Sequence, residues 1–144
     1  MVKFNIDRLR QIVGEINFAL KKLHDISLLT ENEFLSSFEK IDSAKYNLII
    51  AIEGAIDICN HIVAKVGGRA PTDYSDCFKI LEELGIFNEK FIERLQKMAK
   101  FRNLLVHLYW QVDNRQVYKI LKKDINDLKK YLQIIGKFID SSNN

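Results

Sequence analysis

From Ile6 the apolar residues fall at 6, 9, 13, 16, 20 and 23. Alternating steps of three and four are those of a helix that buries one stripe against near-antiparallel neighbours. Leu28-Leu29-Thr30-Glu31-Asn32-Glu33 interrupts the pattern, with Thr30 and Glu33 in capping-box register for a new helix start. A second helix is expected to settle by Asp42 and to run to Val66, where Gly67-Gly68 stops it. Leu48, Ile52, Ala55, Cys59, Ile62 and Val66 line one face of it, widened by Ile49, Ile56 and Val63. So broad an apolar arc marks the central helix of a bundle, and Glu53, Asp57, Asn60 and His61 occupy what remains of its circumference. Residues 67–75 form a loop holding the only proline. Ser75 reads as the cap of a short helix from Asp76 to Leu84, stopped by Gly85. Asn88 reads as the cap of the next, which carries Phe91, Leu95, Met98 and Leu105. After Gln111-Val112-Asp113 a last helix puts Val117, Leu121, Ile125, Leu128, Leu132 and Ile135 on one stripe, with lysines opposite and Asn143-Asn144 expected to fray. The pattern predicts an all-α up-and-down bundle of four long helices plus a short one. With no repeat, low-complexity tract or linker, residues 1–144 read as a single domain.

Composition narrows the class without changing that picture. A chain of 144 residues, 47% hydrophobic and 28% charged, is long enough for a real core and too apolar for disorder. One proline and six glycines argue against a turn-rich β fold. The formal net charge of +3 permits contact with a polyanion without demanding it. Cys59 and Cys77 are too few for a disulfide framework or a four-thiolate zinc site, and both sit in apolar helical patterns. They read as buried free thiols of a reducing compartment. Asp7, Arg8, Arg10 and Glu15 exclude a signal-peptide core, and the longest aliphatic run, Leu48 to Ile52, is far short of a membrane span. The expected location is cytoplasmic, away from membranes.

The candidate chemistry lies in Phe101-Arg102-Asn103-Leu104-Leu105-Val106-His107-Leu108-Tyr109-Trp110, which holds the only tryptophan and one of three histidines. So apolar a stretch would ordinarily be plain core. A buried guanidinium or imidazole without a partner costs several kcal/mol, so Arg102, Asn103 and His107 require a reason. On an ideal helix Phe91, Met98, Leu105 and Tyr109 share the core arc, Arg102 lies inside it, and Asn103 and His107 share a neighbouring face. Arg102 and Tyr109, seven apart, stack along one line. Arg102 and His107, five apart, are separated by about 140°. They converge on one ligand only if Arg102 reaches across, the helix distorts, or a second subunit closes the pocket. A twofold dimer would pool two such sets in one groove. The groups suit an RNA phosphodiester. A histidine near its reference pKa can take a proton from a 2′-hydroxyl or give one to the leaving oxygen. An arginine offers a planar fork to the phosphate, and Asn103 could orient the imidazole or donate to a phosphate oxygen. This chemistry requires no metal or other cofactor. On pattern alone, however, a lone arginine and a lone histidine on a bundle helix are more often a buried polar network.

Arg102-Asn103-x-x-x-His107-x-Tyr109 resembles the signature of the HEPN superfamily, an arginine and a histidine four to six residues apart with a polar residue after the arginine. The fuller form, ending His107-Leu108-Tyr109-Trp110, is similar to the HepT-like branch, toxins paired with a minimal nucleotidyltransferase antitoxin. Ala51 to His61 resembles that family's second helix, and the loop Gly68 to Tyr74 and the stretch Met98 to Tyr109 also look typical. The resemblance covers roughly residues 6–135. It implies an all-α, metal-independent endoribonuclease, dimeric with the motif at the interface, with Arg102 and His107 catalytic and Asn103 supporting. It also implies neutralisation by an ATP-using nucleotidyltransferase partner that adds adenylate to the motif tyrosine, here Tyr109, placing bulky anionic groups beside Arg102.

Glu53, Asp57 and His61 stand at i, i+4 and i+8, but di-iron bundles use Glu-x-x-His motifs on two helices, and none occurs here. Glu53, Asp57, Asn60 and His61 are better read as a polar groove face near the active site or dimer interface than as metal ligands. His24 reads as a surface residue near the end of the first helix. Lys119, Lys122, Lys123, Lys129 and Lys130 read mainly as a solvated face that could also help hold RNA. Trp110 and Tyr118 could stack on a base but read better as packing at the bundle end or across the dimer. A rival to the toxin is a noncatalytic module that holds a nucleotide or RNA and serves the nucleotidyltransferase as a partner subunit. A purely structural bundle is a third.

Overall fold

The computed structural model describes residues 3–143, all helix and connecting loop among them. The helices are α1 (Ile6–Ser27), α2 (Glu31–Leu35), α3 (Phe38–Val66), α4 (Tyr74–Glu83), α5 (Glu89–His107), α6 (Asn114–Lys123) and α7 (Ile125–Asn143), with a single 3-10 turn at Tyr109–Gln111. Four long helices, α1, α3, α5 and α7, make the bundle. The short helices number three rather than one.

The local signals explain most boundaries. Thr30 and Glu33 form the expected capping box: the Thr30 hydroxyl accepts from the Glu33 amide, and the Glu33 carboxylate accepts from the Thr30 amide. The helix they start lasts five residues before Ser36-Ser37 ends it and Ser37 caps α3. The central helix therefore begins at Phe38, four residues before Asp42. The short helix α4 is capped by Asp73, not Ser75; the Asp73 carboxylate accepts from the Asp76 amide at 2.7 Å. Gly85, at φ +78°, then supplies the left-handed turn that a side chain would resist. Asn88 caps α5 as its position implies. The last helix of the sequence pattern is two helices, divided at Asp124, whose amide still bonds to the Ile120 carbonyl. Helix α7 continues through Asn143; Asn144 lies outside the described residues.

α3 runs through the middle and packs against α1, α4, α5 and α6. By length and composition it would pass for a membrane span, but 61% of its most apolar 18-residue window is buried within the bundle. α1 approaches it so closely that a Cβ at Gly54 would fall 2.5 Å from Ile16 Cγ1. Polar ties fix the remaining helices. The Tyr131 hydroxyl on α7 donates to the Ala55 carbonyl on α3 at 2.9 Å. Tyr118 and Lys122 on α6 donate to the Leu29 and Ser27 carbonyls, each at 2.7 Å. Cys59 and Cys77 are both buried and free.

Candidate active site at the end of helix α5

α5 anchors itself by Phe91, Ile92, Leu95, Met98, Ala99, Phe101 and Leu105, all buried. Beyond Phe101 only Leu105 among the apolar residues of α5 stays in the core; its apolar neighbours do not, contrary to the sequence expectation. Leu104, Val106 and Leu108 are exposed and Trp110 is 88% exposed. These side chains lie on the side of the segment turned away from the bundle, while Leu105 on the opposite side remains fully buried.

Arg102 is the motif residue the bundle holds most firmly. Its side chain is only 16% exposed. Nε and Nη2 donate to one oxygen of Glu53 on α3 at 3.1 and 2.6 Å, and Nη1 donates to Asn103 Oδ1 at 3.0 Å. The guanidinium also lies 5.5 Å from the centre of the Tyr74 ring, the first residue of α4. Glu53, Ile56, Asp57, Tyr74 and Arg102 line a small polar recess of about 180 Å³. Burial pushes the Asp57 carboxyl above its usual range; Arg8 and Arg102 work against that, and the Glu53 and Glu15 carboxylates add to it. Three helices thus converge on one guanidinium, and its anionic neighbour leaves one edge of the fork on a neutral amide. Such a group can accept a phosphate as a second anion.

His107 is the last residue of α5 and is solvent-exposed. Leu108 (φ −130°, ψ 39°) takes the chain out of the helix. Tyr109 therefore does not continue the line of Arg102, as an ideal helix would have it, but sits in the following turn. Its hydroxyl donates to Asp42 at 2.7 Å, near the start of α3. Lys45 Nζ donates to the Tyr109 carbonyl at 3.0 Å and lies 4.4 Å from the centre of its ring. Burial first, then the Asp42 hydrogen bond and charge, raise the phenol to about 12, so it stays protonated at neutral pH. Trp110 packs edge-on against Tyr109, with ring centres 5.2 Å apart.

The four polar residues of α3 divide. Glu53 and Asp57 face the Arg102 recess. Asn60 instead accepts from the Cys77 thiol at 3.1 Å. His61 Nε2 accepts from the Asn5 amide at 3.1 Å beneath Phe4, and burial lowers its pKa. Asn60 and His61 thus serve the α3–α4 packing and the amino-terminal segment. Sequence reasoning missed three residues of the site: Tyr74, Asp42 and Lys45. Tyr74 carried no signal beyond its place in the loop Gly68 to Tyr74 that resembles the family's. Asp42 and Lys45 stand 67 and 64 positions from Tyr109, a separation that no local pattern bridges.

Comparison with known proteins gives this geometry a context. A putative RNase of Archaeoglobus fulgidus is 38% identical over 101 residues, covering 70% of this chain and 76% of that protein. The tRNA nuclease HepT of Aphanizomenon flos-aquae is 28% identical over 130 residues, covering 90% and 86%. Among solved structures, a tri-AMPylated Shewanella oneidensis HEPN toxin in complex with MNT antitoxin superposes with a TM-score of 0.82 at 23% identity, covering 90% of this chain and 96% of that one. The Bacillus subtilis cytosolic protein YutE superposes at 0.83 with 20% identity, covering 99% and 95%. Residues 16–135 match the family described as Ribonuclease HepT-like, and the chain belongs to that family.

Proposed function

We propose that the protein is a HepT-type endoribonuclease toxin, cutting RNA at a phosphodiester with Arg102 and His107 as catalytic groups and Asn103 in support. The observation that carries the reading is the state of Arg102. It is a largely buried guanidinium fixed by Glu53 and Asn103 and stacked on Tyr74, on the same last turns of α5 as an exposed imidazole. Arg102 holds the phosphate and stabilises its developing charge. His107 exchanges the proton of the 2′-hydroxyl or of the leaving oxygen, and neither task requires a metal. The exposed Leu104, Val106, Leu108 and Trp110 form the apolar face that a second copy covers, bringing two Arg102–His107 sets into one groove.

Tyr109 is the modification site in this reading, and a nucleotidyltransferase antitoxin using ATP is the partner. The phenol bonds to the α-phosphorus as pyrophosphate leaves, and Asp42, already 2.7 Å from the hydroxyl, is placed to take its proton. Adenylate there puts anionic phosphate beside the motif and repels RNA. The A. fulgidus, A. flos-aquae and S. oneidensis relatives support the ribonuclease and toxin assignments by what they are named for. A cytosolic setting fits the two reduced thiols and the similarity to YutE.

The test is cleavage of total transfer RNA by purified protein in EDTA, beside His107→Ala. Discrete fragments from the parent alone are expected, with the variant slowed at least about 10²-fold, the usual lower range for losing a general acid–base group. Because His107 is exposed and makes no core contact, the variant should keep the parent melting temperature. Equal cleavage by both would remove His107 from the chemistry. No cleavage by a parent whose Tyr109 is shown unmodified by mass spectrometry would favour the noncatalytic partner subunit.

A further inference from the structure

A second recess opens on the other side of α5, between it and α6, with a volume of about 360 Å³. Its floor is apolar: Ile52 from α3, Met98 and Phe101 from α5, and Ile120 from α6. Its rim is cationic, with Arg94 and Lys97 on α5 facing Lys119 and Lys123 on α6. Arg94 is spent on Asp127, at 3.0 Å. Among the described residues, Lys97, Lys119 and Lys123 have no carboxylate within 4.0 Å. Asp124, half-buried at the same rim, is outnumbered, and burial favours its neutral form. An apolar floor under unpaired ammonium groups matches a ligand with a flat, weakly polar body and a phosphate at its edge. The volume lies in the ordinary range of small-ligand pockets, about 300–1,000 Å³. The floor residue Phe101 directly precedes Arg102, and Met98 stands one helical turn before it, so whatever fills the recess is held by the motif helix itself.

We infer that the recess between α5 and α6 is a substrate subsite, holding one nucleotide of the RNA beside the cut, its phosphate on Lys119 and Lys123 and its base or ribose over Met98, Phe101 and Ile120. The inference rests on the ribonuclease reading and adds to it a place where substrate is gripped away from the reacting bond. An acidic protein surface would engage the rim lysines but leave the apolar floor unused, which is why RNA is the better match. The lysines contribute affinity and the motif contributes rate, so the two are separable by measurement.

The experiment compares Lys119→Gln/Lys123→Gln with Lys21→Gln/Lys137→Gln, which removes the same charge from exposed positions of α1 and α7 away from the recess. Both pairs are made in the parent and in the His107→Ala background, with total transfer RNA as the probe. Cleavage is read as KM and kcat, and binding as Kd across a salt series. The recess pair should raise KM and Kd about tenfold and lower the slope of log affinity against log salt by about 1.4, since each phosphate contact to a single strand contributes about 0.7. Its kcat should stay within about twofold of the parent, because uniform binding is lost. The Lys21/Lys137 pair should match the parent. Intact cleavage with unchanged affinity in the recess pair, or equal losses in both pairs, would overturn the subsite while leaving the ribonuclease assignment standing. A parent chain that neither binds nor cuts the RNA would overturn both.

Discussion

Arg69 and Arg102 are both held by carboxylates, and they are held differently. Arg69, in the loop after α3, makes four hydrogen bonds at 2.7–3.1 Å to two acids of α4, Asp76 and Glu83. One cation faces two anions, and 41% of its side chain is exposed. Arg102 is 16% exposed, meets one carboxylate, and turns the rest of its fork to the neutral amide of Asn103. The first arrangement is electrostatically saturated and closes a loop onto a helix. The second is more deeply placed and less fully neutralised, so it retains affinity for another anion. An arginine assigned to phosphate is recognisable less by being paired than by being paired incompletely.

Exchange of the two roles gives the largest expected effect. Arg102→Ala should reduce RNA cleavage by about 10²–10³-fold, as when one preorganised donor to a developing charge is removed. Arg69→Ala should leave kcat/KM unchanged and lower the melting temperature slightly. Comparable losses of activity in both would show that the loop tie, too, supports the chemistry.

A smaller effect sharpens what Glu53 does. If it orients the guanidinium, Glu53→Ala should slow cleavage about tenfold through misplacement, and Glu53→Gln, which still accepts a hydrogen bond, should recover part of that. Faster cleavage in either variant would show instead that Glu53 competes with phosphate for Arg102.

The smallest effect lies in acid. The Arg69 hydrogen bonds, with those of the Thr72 amide and hydroxyl, hold the Asp76 carboxyl well below its usual range. A carboxyl depressed in the folded state adds stability above its unfolded pKa of about 3.9, and that stability is lost as pH falls through the folded value. The melting temperature of Asp76→Asn should therefore lie below the parent's at pH 7, and the gap should narrow on titration below about pH 4. A gap independent of pH would mean that the aspartate's contribution is packing of the Thr72–Asp76 turn rather than charge.

What the sequence made legible follows from range. The capping box at Thr30 and Glu33, the Asn88 cap and the Gly67 stop are decided within four residues, and all three stand where the pattern placed them. The stripe from Val117 to Ile135 concealed the break at Asp124. A one-residue interruption leaves the helical period nearly in phase, and the same side chains stay inward. The end of α5 was hidden for another reason: neither glycine nor proline follows His107, and the helix stops because Tyr109 is drawn to Asp42 and Lys45 across the bundle. That pull also broke the expected alignment of Tyr109 with Arg102. Within the candidate site, the residue types were visible in one short segment. The partners that orient them, Glu53 excepted, became visible only with the fold.

Trp110 carries one more consequence. It is the chain's sole tryptophan, and it stands 88% exposed against the ring of Tyr109 at the motif end of α5. The protein's indole emission therefore originates at the one place where subunit pairing, RNA and any change at Tyr109 would all be felt. A shift toward shorter wavelength would accompany covering of that ring, and quenching would accompany stacking of a base upon it. The molecule has, without any label, a single optical reporter located at its candidate site and silent about the rest of the bundle.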